Sequence, residues 1–236
     1  MSPRRLLLAS NSPRRRRLLA LGEWDFETAS SDVDESLLPG EGPAAYVVRL
    51  AREKALATTE GVPAEGAPTE GVAATIVIGA DTTVVIDGEI LGKPADEIEA
   101  ASMLRRLRGR THQVYTGIAA LDSASGSLRT DLCVTDVPMR RYTDEEISAY
   151  VATGDPLDKA GAYAIQHPGF QPVAGMTGCY ASVMGLPLCH LTRLLKELDL
   201  PPNADVPGAC QAFLAYDCPV YPSILGGRRA LVQESK

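Results

Sequence analysis

Aromatic residues are scarce in this chain. Phe, Trp and Tyr make up 5% of its 236 residues, so its core has to be built from Leu, Val, Ile and Ala. The same scarcity leaves no aromatics interleaved with bases, the platform on which single-stranded nucleic acid stacks. Cysteine occurs five times, an odd number with no Cys-x-x-Cys spacing. That speaks against a disulfide framework and a structural zinc site, and it suits a reducing, cytoplasmic compartment. No apolar run approaches the roughly 20 residues of a membrane span. "RRLLLAS" is too short for a secretory signal, and arginines soon interrupt it. Neither GxGxxG nor GxxxxGK[ST] occurs, so phosphates, if bound, are held by another device. Three scattered histidines give no metal spacing. Cys189-His190 falls in a helical pattern with no third partner, which argues against a Cys/His nucleophile.

What is present is an uneven distribution of charge. The formal net charge is −7, which argues against a general binder of polyanions. Yet the first twenty residues hold six arginines and no acid, whereas residues 22–60 hold nine acids against three bases. A cationic spot on an acidic body suits a small phosphorylated ligand better than a duplex.

Local patterns alternate between strand and helix. "RRLLLAS" reads as a short buried strand, Ser12 caps a helix opened by Pro13, and "WDFETAS" alternates as a second strand. Pro43 opens a helix to about Thr58. Residues 59–75 are rich in Gly, Pro, Ala and Thr and read as a flexible loop. "TIVIGAD" is a buried strand ending near Asp81, and "TVVIDGEIL" a hairpin about Asp87-Gly88. A helix over 95–108 places Ile98, Ala101, Leu104 and Leu107 on one face. "HQVYTGIAAL" and "LRTDLCVTDVPM" read as strands, and Thr143 with Glu146 forms a capping box. "LPLCHLTRLLKEL" makes a last helix, and the tail from Pro201 holds five prolines without a clear pattern. Mixed strands and helices without repeats indicate an α/β or α+β fold.

Several residues have chemistry to offer, each against a plainer alternative. Arginines 14–17 fill the first turn of a helix, where free amides already favour an anion. Arg14 and Arg17 share one side of that helix and Arg15 another, so at most two or three can meet one ligand. Ser10 and Ser12 add hydroxyls; a solvated helix face is the alternative. "SDVDES" supplies Asp32, Asp34 and Glu35, which can hold Mg²⁺ or Mn²⁺ or merely line an acidic loop. Lys54 shares a helix side with Val47, Leu50 and Ala51, and either snorkels at the core rim or reaches into a cleft. Asp81 and Thr82, at the end of an apolar strand, offer a base or metal ligand. "GEILGKP" presents Lys93 on a rigid turn. "DPLDKAGAYAIQ" contributes Asp158, Lys159 and Gln166, whose amide both donates and accepts.

In succession, "LASNSPRRRRLL", "SDVDES", "LAREKA", "GADTTVV", "LGKP", "GRTHQVYTG", "DKAGAYAIQ" and "GLPL" resemble the Maf family of nucleoside triphosphate pyrophosphatases over roughly residues 5–198. The resemblance implies an α/β fold similar to the inosine triphosphate pyrophosphatases, with a long twisted mixed sheet, two lobes around a cleft and frequent homodimers. It implies hydrolysis of a nucleoside triphosphate to monophosphate and pyrophosphate with a divalent cation, Mg²⁺ or Mn²⁺. Asp81 would activate water, Glu35 and Asp81 would lie at the metal, and Ser10, Arg15, Lys54 and Lys93 would surround the phosphates. The specificity positions fall on Arg14, Thr82 and Gln166. "AYAIQ" looks like the branch acting on dTTP and UTP, with modified pyrimidine nucleotides as further candidates, rather than the 7-methyl-GTP branch. A Gln amide complements N3–H and O4 of uracil or thymine. His-Pro after Gln166, four arginines where two are typical, the 59–75 loop and the extension over 201–236 depart from the family pattern. The alternative expectation is a non-catalytic, nucleotide-binding regulator of septum formation. Nucleic acid and membrane are not expected partners.

Overall fold

In the computed structural model of the chain, the described residues are 4–58 and 75–227. The expected loop therefore lies outside them, save for Thr75. A six-stranded mixed sheet organises the rest, in the order β2-β1-β3-β5-β6, with β4 paired to β3. β1 (Arg5–Ala9) runs parallel to β2 (Phe26–Ala29) and to the first residues of β3 (Thr75–Ile86). β5 (Thr111–Asp122) and β6 (Leu128–Pro138) add antiparallel neighbours, and β4 (Glu89–Leu91) folds back on β3 around Asp87 and Gly88, both at positive φ. The expected α/β class is what is found.

Asp81 was expected at a strand end, but it lies inside β3. The 12-residue strand continues because β5 pairs with it without interruption from Ile76 to Val85. Its other edge is different. β1 pairs with β3 as far as Ile78 and β4 begins at Val84, so residues 79–83 have a ladder partner only in β5. The opening in the sheet thus lies beside the strand, not beyond its end.

The first half of β3 is apolar on both faces because helices cover both. On one face, Ile76 and Ile78 join Leu6 and Leu8 under Leu18 and Leu19 of α1 (Pro13–Ala20) and Leu191 and Leu195 of α6 (Leu188–Glu197). On the other, Val77 meets Ala51 and Ala55 of α2 (Pro43–Ala57). A second core gathers at the far end of β3. Val84 and Val114 pack there with Leu104 and Leu107 of α3 (Glu97–Leu107) and Ile147 and Tyr150 of α4 (Asp144–Val151). The expected capping box on α4 is present, with Thr143 and Glu146 each bonding the other's backbone. Ile98, expected on the buried face of α3, is 81% exposed. The face that packs is Ala100, Met103, Leu104 and Leu107, one step around the helix.

The tail is more ordered than its prolines suggest. It forms α7 (Val206–Leu214) and α8 (Tyr221–Leu225), each with Pro near its start, and buries Val206, Leu214 and Ile224. α5 (Tyr180–Val183) is a single turn leading into α6. All five cysteines are free. Cys189-His190 was expected to have no third partner, but His190 has one on β6: its Nδ1 lies 3.0 Å from Asp131 Oδ2, which Arg193 also holds. Strand pairing is what brings Asp131 there, and local sequence does not reveal it. Burial opposes the imidazolium, but Asp131 and then Cys133 favour it, and His190 is pushed up to about 9.

A raised folded-state pKa contributes stability that is complete below the unfolded value of about 6.5. That stability is lost as pH rises through the folded value. Chemical denaturation of the protein and of His190→Gln should therefore show a gap that is largest below pH 6.5 and closes as pH passes about 9.

Candidate active site

Two glycines bring the functional side chains together. A Cβ on Gly79 of β3 would stand 2.0 Å from the Ala51 carbonyl oxygen of α2, and one on Gly117 of β5 would stand 2.5 Å from that of Val47. With neither present, α2 lies directly on the sheet. Val47, Ala51 and Lys54 share one stripe of the helix, so the stripe that packs on the glycines carries Lys54 to Asp81 two residues along β3.

Lys54 is 7% exposed, and its Nζ lies 2.7 Å from both Asp81 Oδ1 and Glu35 Oε1. Of the two readings of Lys54, the structure selects the one that enters a cleft. Glu35 arrives on the loop after β2, which α2 pins down: Tyr46 donates its hydroxyl to the Glu35 carbonyl at 2.8 Å, and Arg49 donates to the Ser36 carbonyl at 3.0 Å. Asp34 instead accepts the Ser36 amide within the loop, and Asp32 is exposed, so Glu35 alone of that acidic run reaches Lys54. Burial pushes the Asp81 carboxyl up, against the pull of Lys54 and Arg15. Glu35, half exposed, is held below its ordinary value: what burial it has raises it, but Lys54, Lys93 and Arg15 lower it.

The arginine run divides as helical geometry requires. Arg14 and Arg15 line the cleft, while Arg16 and Arg17 are exposed outside it. Ser12 caps α1 by accepting the Arg15 amide, and Ser10 accepts both the Ser12 amide at 3.2 Å and Arg15 Nη1 at 3.3 Å. Arg15 is further fixed by donating Nε to the Gly185 carbonyl at 2.9 Å and Nη2 to Thr82 at 3.4 Å. Burial lowers its pKa, yet a guanidinium remains charged. Gly185 sits at φ +104, and a side chain there would press on Arg15 and Thr82.

These residues border one cleft of about 650 Å³, a size that fits a small-molecule ligand. Lys93, Thr82 and Gln166 line it too, Gln166 as an exposed residue of the rim. The structure therefore brings to the same walls all nine residues to which the resemblance gives roles, and leaves Asp32 and Asp34 outside. Asp158 and Lys159, noted beside Gln166 in the sequence, line the cleft as well, and the Lys159 ammonium is taken up by Asp155 at 3.0 Å and Asp158 at 2.6 Å. Tyr46 carries no local signal of its role, since it acts through a contact made only on folding. The charged lining is five cations (Arg14, Arg15, Lys54, Lys93, Lys159) against three carboxylates (Glu35, Asp81, Asp158), a positive cleft on a negative chain.

Among the described residues no group of three or more His, Cys, Asp or Glu is arranged to hold a metal ion. Glu35 and Asp81 share one ammonium, so their bonded oxygens lie no farther apart than twice the 2.7 Å contact. Two neighbouring carboxylates fit the habit of Mg²⁺, which takes one or two from protein and fills its other positions with water and phosphate.

The profile of a family described as Maf-like protein matches residues 5–198. The chain belongs to the Maf-like protein family. Curated members are similar across most of its length. A "dTTP/UTP pyrophosphatase" of Geobacter sulfurreducens is 48% identical over 198 residues, covering 84% of this chain and 98% of that protein. One of Escherichia coli O157:H7 is 47% identical over 198 residues, covering 82% and 93%. Among solved structures, the Ham1 protein of Staphylococcus aureus aligns over 89% of this chain and 98% of its own at 14% identity, with a TM-score of 0.38. The family profile stops at residue 198, so α7 and α8 lie beyond it.

The seating of α2 is testable on its own. Gly79→Ala should cost about 3 kcal/mol or more in chemical denaturation, because neither backbone can yield the space. Gly175→Ala, at an exposed position with nothing within 4 Å, should stay within about 0.5 kcal/mol.

Proposed function

We propose that this Maf-like protein hydrolyses dTTP and UTP to the nucleoside monophosphate and pyrophosphate, acting in the cytoplasm. Its relatives' names support the substrates. The observation that carries the chemistry is the buried Lys54 ammonium bridging Asp81 and Glu35 at the wall of a cationic cleft.

Lys54 occupies one oxygen of Asp81, and the Asp81 carboxylate takes the proton of a water that attacks the α-phosphorus. The bond from that phosphorus to the β-bridging oxygen breaks, and pyrophosphate departs with the electron pair. Arg15, Lys54 and Lys93 offset the charge on the departing oxygens. Glu35 and Asp81 would hold a divalent cation, Mg²⁺ or Mn²⁺, which when bound neutralises triphosphate charge and acidifies bound water. Arg14, Thr82 and Gln166 select the base, with the Gln166 amide N–H facing O4 of uracil or thymine and N3–H left to a second acceptor.

A substrate panel with Mg²⁺ or Mn²⁺, resolving pyrophosphate from phosphate, tests this reading. Pyrophosphate is expected from dTTP and UTP with little from ATP; single phosphates would overturn it. Asp81→Asn should lower kcat by at least about 100-fold with the fold intact. Arg16→Ala and Arg17→Ala should stay within about twofold of the parent, since both side chains are exposed outside the cleft. A nucleotide-binding regulator would instead keep its ligand and show no turnover to lose.

The pH profile gives a second test. Asp81 has to be ionised to accept a proton, and burial raises its pKa, so kcat/KM should fall on acidification above the ordinary carboxylate range of about 3.9. Lys54→Gln removes the largest opposing charge and should move that acid limb to higher pH. A limb unmoved by Lys54→Gln would remove Asp81 from the base role.

A further inference from the structure

Thr82 of β3 and Thr116 of β5 are direct cross-strand partners, and their hydroxyl oxygens lie 3.0 Å apart. Thr116 is fully buried, and its oxygen is also 2.9 Å from the Ser182 carbonyl at the end of α5. We propose that Thr116 is a positioning residue that turns the Thr82 hydroxyl into an acceptor toward the cleft, selecting a base that carries an imide N–H. The proposal rests on the pyrimidine reading above.

The assignment follows from counting protons. Two oxygens at 2.9 or 3.0 Å with no hydrogen between them repel, and a buried site offers no water to relieve them. The two contacts need one proton each, and two hydroxyls supply two. A carbonyl cannot donate, so Thr116 gives its proton to Ser182 O. Thr82 therefore gives its proton to Thr116. Arg15 Nη2 then donates to the Thr82 oxygen at 3.4 Å, and Gly185 holds that guanidinium by accepting its Nε. Thr82 has nothing left to donate, yet it still borders the cleft with lone-pair capacity.

An acceptor-only hydroxyl has no use for a phosphate oxygen, which only accepts. It matches a donor on the nucleoside. The donors that dTTP and UTP share are the imide N3–H and the 3′-hydroxyl. Cytosine has a bare N3 at the same ring position. Thr82 facing the base would thus favour uracil and thymine, and this preference would depend on a residue that never touches substrate.

The test uses the reaction products, so that it does not depend on turnover. Affinities for UMP and CMP are measured by calorimetry on the parent, Thr116→Val, Thr116→Ser and Thr82→Val, with thermal unfolding followed alongside. The parent should prefer UMP. Thr116→Val frees the Thr82 proton to swing toward a bare N3, and the UMP-to-CMP affinity ratio should fall about tenfold. Thr116→Ser keeps the hydroxyl chain and should hold the ratio within about twofold, and Thr82→Val should lose it even if Thr116→Val folds poorly. A merely structural role would weaken both ligands together and leave the ratio fixed. That result, an equal loss in Thr116→Ser, an unchanged ratio in Thr82→Val or a parent that binds both alike would overturn the proposal. A bond to the 3′-hydroxyl would likewise leave the ratio fixed. A parent that releases no pyrophosphate from UTP would sink the proposed activity instead, and the affinity ratio would still decide the role of Thr116.

Discussion

The site depends on one buried ammonium. Lys54 holds Asp81 and Glu35 together from a helix that lies closer to the sheet than side chains ordinarily permit. Charges at this depth are costly unless each is matched. The match here requires three elements at once: Asp81 from β3, Lys54 from α2 and Glu35 from a loop pinned to α2. Lys54 bridges the two carboxylates. It also sets their protonation, opposing the burial that raises Asp81 and helping to hold Glu35 ionised. Lys54 lowers both carboxyls, and their pKa directions differ because Asp81 is buried while Glu35 is half exposed.

The sheet allocates tasks by face. Successive residues of a strand point to opposite sides, so Asp81 turns to α2 while Thr82 turns to Thr116 and the α5 turn. Both reach the cleft because β3 has no ladder partner at residues 79–83 on that edge. The gap gives a ligand access to the strand from the side. Arg15 links the two faces, since it donates to Thr82 and electrostatically lowers Asp81. Neighbouring residues of one strand thus present a carboxylate and a hydroxyl to the cleft without competing for one space.

Much of this was legible in the sequence, for identifiable reasons. Elements bounded by strong caps, such as α1 after Ser12-Pro13 and α4 after Thr143, appear where local chemistry places them. The nine candidate residues could be singled out because each belongs to a short motif. What could not be read locally is what depends on pairing across the chain. β3 runs through Asp81 because β5 supports it, and His190 gains a partner because β6 presents Asp131. Ile98 looked buried because an apolar residue at helical spacing usually is, but Ala100 and Met103 turn the packed face away from it. The tail showed no clear pattern, yet two of its five prolines, Pro207 and Pro222, stand in the first turns of helices, where a proline sacrifices no hydrogen bond. Thr116 stands in one of the motifs, but its two contacts, with residues 34 and 66 positions away, could not be read there.

The charge distribution completes the physical picture. The cleft carries two more cations than carboxylates on a chain whose net charge is −7. An acidic body repels an extended polyanion along its whole length, whereas a small triphosphate meets that repulsion only until it comes within about a Debye length of the cleft. Inside, low-dielectric walls strengthen the attraction of Arg15, Lys54 and Lys93. The arginine run therefore needs only Arg14 and Arg15 to face inward. Arg16 and Arg17, on the same turn, are exposed outside the cleft.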